Sequence, residues 1–322
     1  MIELFGWIIL FIVSLAILIK ASDLFVDSAE LIGKKFNIPK FVIGATVIAL
    51  GTSLPELVSS IIAVLKDSSE IVAGNVIGSN ITNILMIFGV TGLLYKEMII
   101  PRKVVVIDSP ILIISSLLLL VTIYDGSFTL KEAFIFLLFF IFYNIYLVKV
   151  KDKRGDDNLY EEKDEKQFTW KSPVLLILSS FLIFLGAKYT IDSVIEIANI
   201  MNVGKEVIAI TAIALGTSLP ELIVCLSAAK KNRPEIILGN ILGSNIFNTL
   251  GVMSIPALFG NLVIPHDIIM YGLPVMCFVS LLFLFVVSDK KFTRNEGITL
   301  LVLYILFIAG LFITPGQNSI SP

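Results

Sequence analysis

The ten residues Ile48–Leu57, reading IALGTSLPEL, return letter for letter as Ile213–Leu222. A second block follows each copy at the same distance, GNVIGSNITN at Gly74–Asn83 and GNILGSNIFN at Gly239–Asn248. One constant offset for every block marks an internal duplication. Each copy places a carboxylate, Glu56 or Glu221, within a long apolar run. At the centre of a membrane span such a charge costs about 2.5–3.5 kcal/mol on insertion scales, so a matched pair implies a task. The backbone agrees. Pro55 has no N–H and deprives the Gly51 carbonyl of its helical partner, and Gly51 weakens the helix further; Pro220 and Gly216 repeat the arrangement. Inside lipid, a broken helix survives only where its freed carbonyls face protein, water or an ion.

That these runs are membrane spans follows from composition. The chain is 57% hydrophobic and 16% charged, against about 25% charged residues in soluble domains. The net charge of −2 points to no nucleic-acid partner. Cys225 and Cys277 both lie in apolar runs and read as small core residues, not as a disulfide framework. His266 is the sole histidine, which excludes a histidine-based metal site or catalytic dyad. The run Leu4–Ile19 has the length of a signal peptide but lacks a basic n-region and a clear cleavage site, and it reads as the first span.

Ten apolar segments are long enough to span, at 3–31, 39–64, 70–94, 103–123, 127–149, 171–198, 205–229, 235–259, 265–288 and 297–315. They divide into a first five-helix repeat (1–150), a charged linker (151–170) and a second five-helix repeat (171–322). Pro101 and Pro110 reappear, one position out of step, as Pro265 and Pro274. Basic residues crowd one side: Lys34, Lys35, Lys40, Lys96, Arg102, Lys103, the linker, Lys230, Lys231, Arg233, Lys290, Lys291 and Arg294. The other side receives Lys66, Lys131, Lys188 and Lys205. The rich side is then cytoplasmic and both termini are extracellular in a multi-pass cell-membrane protein. Five spans per repeat is odd, so the second repeat enters the bilayer inverted. The expected fold is an all-α integral membrane protein of two inverted five-helix repeats, with broken helices at the midplane, a plan shared by many secondary transporters.

Around each break lie hard oxygen donors: Thr52, Ser53, Glu56 and the carbonyls of Ala49 and Gly51, matched by Thr217, Ser218, Glu221, Ala214 and Gly216. Without thiolate or imidazole, this chemistry suits Na⁺ and Ca²⁺, while Mg²⁺ sheds water too reluctantly. In the second block Asn75, Ser79 and Asn83 share one helix face, as do Asn240, Ser244 and Asn248. For Asn75, Asn240, Asn80 and Asn245, ion contact and bonding between helices both remain open. Gly74 with Gly78, and Gly239 with Gly243, permit close helix packing. Asp23, Asp27 and Asp192 lie toward span ends, where solvation is expected. Glu70 and Glu235 suit helix starts, and Phe134–Phe142 reads as lipid-facing or packing surface. Two ionised glutamates carry a charge of −2, which Ca²⁺ or two Na⁺ would cancel, so an empty site should resist crossing the membrane.

At these residues the chain resembles the sodium/calcium exchanger family of calcium/cation antiporters, in a compact prokaryotic form. GTSLPE followed by GSNI, duplicated, looks like that family's paired alpha repeats. The resemblance implies that Glu56 and Glu221 are shared by Ca²⁺ and Na⁺, that Thr52, Thr217, Ser79, Ser244 and the Ala49 and Ala214 carbonyls complete Na⁺ sites, and that Asn83 and Asn248 lie near the middle position. It also implies exchange of three Na⁺ for one Ca²⁺ as the first and sixth spans slide across an eight-span core. No nucleophile, base and cofactor motif converge, so neither enzymatic activity nor a cofactor is expected, and no obligate protein partner is evident in the sequence. Many members carry Asp where this chain has Asn248, which weakens a role for K⁺. The rivals are a Ca²⁺/H⁺ antiporter using the same glutamates, whose relatives usually show a different motif, and a cation channel.

Overall fold

Long apolar stretches separated by short polar turns produce helices and little else. The computed structural model describes residues 2–101, 104–149, 168–201 and 218–313. Its helices are α1 (Ile2–Lys35), α2 (Lys40–Thr52), α3 (Leu54–Leu65), α4 (Glu70–Leu94), α5 (Val104–Asp125), α6 (Leu130–Lys149), α7 (Lys171–Ile200), α8 (Leu219–Lys230), α9 (Pro234–Ala257), α10 (Ile268–Val287) and α11 (Arg294–Ile313). Among the described residues, seven helices are long and apolar enough to cross a membrane, and α2 with α3, bent by 42° at their junction, supplies an eighth span. Of the other two expected spans, 297–315 overlaps α11 and 205–229 overlaps α8, whose preceding residues lie outside the described ones; neither helix is among those long and apolar enough. The charged linker lies almost wholly outside them too.

Four short strands tie the loops together. β1 (Glu97–Ile99) pairs antiparallel with β4 (Lys291–Thr293), and β2 (Ser127–Phe128) with β3 (Leu262–Val263). Tyr95, beside β1, donates to the Ala229 carbonyl at 3.4 Å, and the Val263 N–H donates to Ser69 at 3.1 Å. Among the described residues, the loops after α4 and before α11 thus meet beside the end of α8, and the loops after α3, α5 and α9 meet one another. α3 and α8 are each followed by a left-handed residue, Asp67 (φ 56°) and Asn232 (φ 53°). Asp and Asn are the non-glycine types that visit this region most readily.

The core is built around α9, which is buried along nearly all of its length apart from its first turn, and α4, buried along most of it. α2 crosses α9 at backbone contact. A Cβ on Gly239 would collide with the Phe41 carbonyl, and one on Gly243 with the Ala45 carbonyl. A Cβ on Gly44 would stand 2.7 Å from the Ile236 oxygen. The expected close packing is thus met at Gly239 and Gly243. Among the described residues Gly74 meets the Ile268 Cδ1 at 3.7 Å, and the second-half segment equivalent to Phe41–Ala45 lies outside them. Lipid-facing surface is supplied by the outer sides of several helices, including Phe5 and Ile12 of α1 and Phe134 and Phe142 of α6. Phe136 instead turns inward, edge-on to Phe128 at 5.1 Å.

α1 and α7 pack tightly against each other. Gly186 admits Leu18, whose Cβ would lie 2.9 Å from an added Cβ, and Thr190 donates to Ser14 at 3.0 Å. The basic-rich end of α1 departs from expectation. Asp23 and Asp27 are not simply solvated: Ser227 donates to Asp23 at 2.5 Å, Lys231 pairs with Asp27 at 2.5 Å, and Arg233 pairs with Glu30 at 2.5 Å. Acids one helical turn apart on α1 share a face, and the turn after α8 brings its cations to that face.

Candidate functional site

Two helix starts and two polar stripes build the site. At the α2–α3 junction Ser53 adopts φ −89° and ψ 9°, and before α8 Ser218 adopts φ −89° and ψ 3°. The duplicated motif thus imposes one backbone shape twice. The Gly51 carbonyl, left without its helical partner by Pro55, takes a hydroxyl hydrogen from Ser180 of α7 at 3.4 Å. Phe25 of α1 covers the same glycine, with its Cζ 2.5 Å from where a Cβ would be. Both helices of the outer pair therefore rest on the break. Wider π-helical turns start at Asn83 in α4 and Asn248 in α9, and such turns are common at functional sites.

The two halves interlock here. Ser53 donates to Oε1 of Glu221 at 2.9 Å. Thr52 donates toward Oδ1 of Asn240 at 3.2 Å and toward the Ala49 carbonyl at 3.3 Å. Asn83 donates to Oδ1 of Asn245 at 3.0 Å, while Asn80 donates to Thr249 at 2.8 Å and to the Asn245 carbonyl at 3.3 Å. Ser244 lies 3.5 Å from Oδ1 of Asn240. Thr52, Ser53, Glu56, Glu221, Asn83, Asn248, Ser218, Ser79 and Ser244 are all buried. Thr217 and Ala214 lie outside the described residues.

The electrostatic character follows from what is missing. Glu56 and Glu221 are each 1% exposed. Among the described residues, neither oxygen of Glu56 nor Oε2 of Glu221 has a hydrogen-bond partner, and the same holds for Oδ1 of Asn83 and both amide atoms of Asn248. No ion pair among those residues involves either glutamate. Buried carboxylate oxygens without donors are expensive, and a cation is the group that relieves them. No cluster of three or more His, Cys, Asp and Glu occurs among the described residues; what this locus could offer a cation is two carboxylates and neutral oxygens, a hard set.

A profile of the sodium/calcium exchanger protein family matches residues 6–149 and 171–313. The chain belongs to that family. The sodium/calcium exchanger MaX1 of Methanosarcina acetivorans is 33% identical to this exchanger-family chain, covering 94% of it and 98% of the relative. An uncharacterized membrane protein of Methanocaldococcus jannaschii is 35% identical, covering 94% and 96%. Among solved structures, the sodium-calcium exchanger NCX_Mj soaked with 2.5 mM Na⁺ and 10 mM Sr²⁺ superposes with a TM-score of 0.81 at 34% identity, covering 95% of this chain and 99% of that one. This exchanger-family protein is accordingly a multi-pass, all-helical membrane transporter.

One participant escaped the motif reading. Cys225, expected to be a small core residue, accepts from the Asn240 amide at 3.3 Å. Its position four residues after Glu221, matching Ser60 after Glu56, was the available signal.

Proposed function

We propose that the protein is an electrogenic Na⁺/Ca²⁺ antiporter working by alternating access, with Glu56 and Glu221 as the shared ligands of both ions. The observation that carries this reading is the bond from Ser53 to Glu221, which joins the first half's helix break to the second half's carboxylate. It draws two buried acids from opposite halves into one oxygen-lined locus. Thr52, Ser79, Ser244 and the Ala49 carbonyl, with Thr217 and Ala214, complete the Na⁺ positions, Ser53 and Ser218 flank them, and Asn83 and Asn248 lie at the middle. Ca²⁺ cancels the two negative charges. Three Na⁺ bring one more positive charge than Ca²⁺, so each cycle moves net charge. The names of MaX1 and NCX_Mj support the choice of ions.

The architecture behind this is two inverted repeats, 1–150 and 171–322, joined by a cytoplasmic linker. Support comes from contacts between equivalent positions. Asn80 bonds the backbone of Asn245, 165 residues on, and the hydroxyls of Ser116 and Ser280, 164 apart, lie within 3.0 Å. A residue touches its own counterpart only beside a two-fold axis. The basic residues gathered at the β1–β4 end support placing that end in the cytoplasm and both termini outside.

The test is Ca²⁺ uptake into Na⁺-loaded proteoliposomes at clamped pH. Uptake is expected when external Na⁺ is low, and it should respond to an imposed membrane potential. Uptake driven by a pH gradient and indifferent to Na⁺ would replace this reading with Ca²⁺/H⁺ exchange.

A further inference from the structure

Asn75 and Asn240 occupy equivalent places on α4 and α9, and each is held by the residue four positions after its half's glutamate. Asn75 Nδ2 donates to Ser60 Oγ at 3.2 Å and to the Glu56 carbonyl at 3.4 Å. Asn240 Nδ2 donates to Cys225 Sγ at 3.3 Å. The separation along the chain is 15 residues in both halves. One anchoring arrangement has therefore been duplicated with a hydroxyl in one copy and a thiol in the other.

The opposite edge of the Asn240 amide faces the site. Its Oδ1 accepts from Thr52 at 3.2 Å and lies 3.5 Å from Ser244 Oγ. A hydroxyl has one hydrogen and two lone pairs. To coordinate a cation it must turn the lone pairs inward and spend the hydrogen elsewhere. With Oδ1 toward it, Thr52 places its hydrogen on Asn240, shared with the Ala49 carbonyl at 3.3 Å, and its lone pairs are left for an ion. If the amide turned over, its NH₂ would donate to Thr52 and occupy one of the two lone pairs the hydroxyl can offer an ion, leaving its hydrogen to the Ala49 carbonyl alone. The direction of one amide thus sets how many lone pairs a hydroxyl of the other half can turn toward an ion.

We propose that Cys225 is a positioning residue: its sulfur anchors the Asn240 amino group, so that Thr52 presents oxygen lone pairs to Na⁺. Ser60 anchors Asn75 in the same way, but there the Glu56 carbonyl, which can only accept, provides a second anchor. Among the described residues the sulfur, a weak acceptor, is the sole acceptor for the Asn240 amino group. The second half is the more sensitive one. This inference rests on Thr52 being a Na⁺ ligand, as in the function proposed above.

The test measures half-saturating Na⁺ and Ca²⁺ in proteoliposomes for the parent protein and for Cys225→Val, Cys225→Ala, Cys225→Ser and Ser60→Ala. Losing one orienting hydrogen bond should raise half-saturating Na⁺ about threefold or more in Cys225→Val. Half-saturating Ca²⁺ should stay within about twofold of the parent, since Thr52 is not a Ca²⁺ ligand in this scheme. Cys225→Ala, which removes the sulfur without adding bulk, should behave alike and covers the case in which the valine variant fails to fold. Cys225→Ser, with its acceptor restored, should bring half-saturating Na⁺ back toward the parent value, and Ser60→Ala should have a smaller effect than Cys225→Val. Parent-like Na⁺ values in both Cys225→Val and Cys225→Ala would overturn the proposal, as would equal shifts for the two ions or failure of serine to rescue. A parent protein that shows no Na⁺-driven Ca²⁺ uptake would instead overturn the function on which it rests.

Discussion

Glu56 has two buried carboxylate oxygens and no donor for either among the described residues. Folding the ion-free protein therefore works against this residue, and binding a cation works for it. Glu56→Gln and Glu221→Gln should each abolish exchange yet still yield folded protein, because an amide is cheaper to bury than an unpaired charge. Thermal melting distinguishes this from simple damage. The parent protein should gain about 2.7 kcal/mol from Ca²⁺ at one hundred times its dissociation constant, whereas both glutamine variants should show no Ca²⁺-dependent shift. A glutamine variant that retains the full shift would remove that glutamate from the site. The glutamates were legible in the sequence because a charge in an apolar run is conspicuous. Cys225 was not, because a thiol in such a run looks like any other small side chain until a neighbour's amide is placed against it.

Elements add a constraint that residues alone do not carry. α1 rests on the helix break through Phe25 and is tied at its basic-rich end to α8 through Asp23 and to the turn after α8 through Asp27 and Glu30. Removing both cations, as Lys231→Ala with Arg233→Ala, should speed amide hydrogen exchange over residues 22–33 while leaving α4 and α9 unchanged, since local opening follows local contacts. Unaltered exchange in α1 would show that packing on α7 alone holds it. At the crossing of α2 and α9, Gly239→Ala and Gly243→Ala should each destabilise the protein by about 1–3 kcal/mol, typical of overpacking, read as a lower melting temperature. The spans, the bend near Pro55 and the polar face of each stripe helix could all be read from spacing. The partner of each face could not, because periodicity identifies a face without saying which helix lies opposite. Thr52 meets Asn240 and Ser53 meets Glu221, both across the halves, and no local pattern encodes that.

On the proposed function each ion draws its ligands from both repeats, and the carrier's cycle inherits this. With no ion bound, the crossing would carry two uncompensated negative charges through a poorly solvating interior. Vesicles loaded with Ca²⁺ should therefore hold it in medium free of Na⁺ and Ca²⁺ and release it when Na⁺ is added outside. Equal release without Na⁺ would point to a channel. The two strand pairs were not foreshadowed in the sequence, since strands of two or three residues leave too short a pattern to detect. The hydroxyl of Ser53 resting on Glu221 has a final implication. On the proposed function neither repeat would own a complete coordination shell, so a substitution in one copy of GTSLPE would alter the chemistry offered by the other, and selectivity would evolve as a property of the pair.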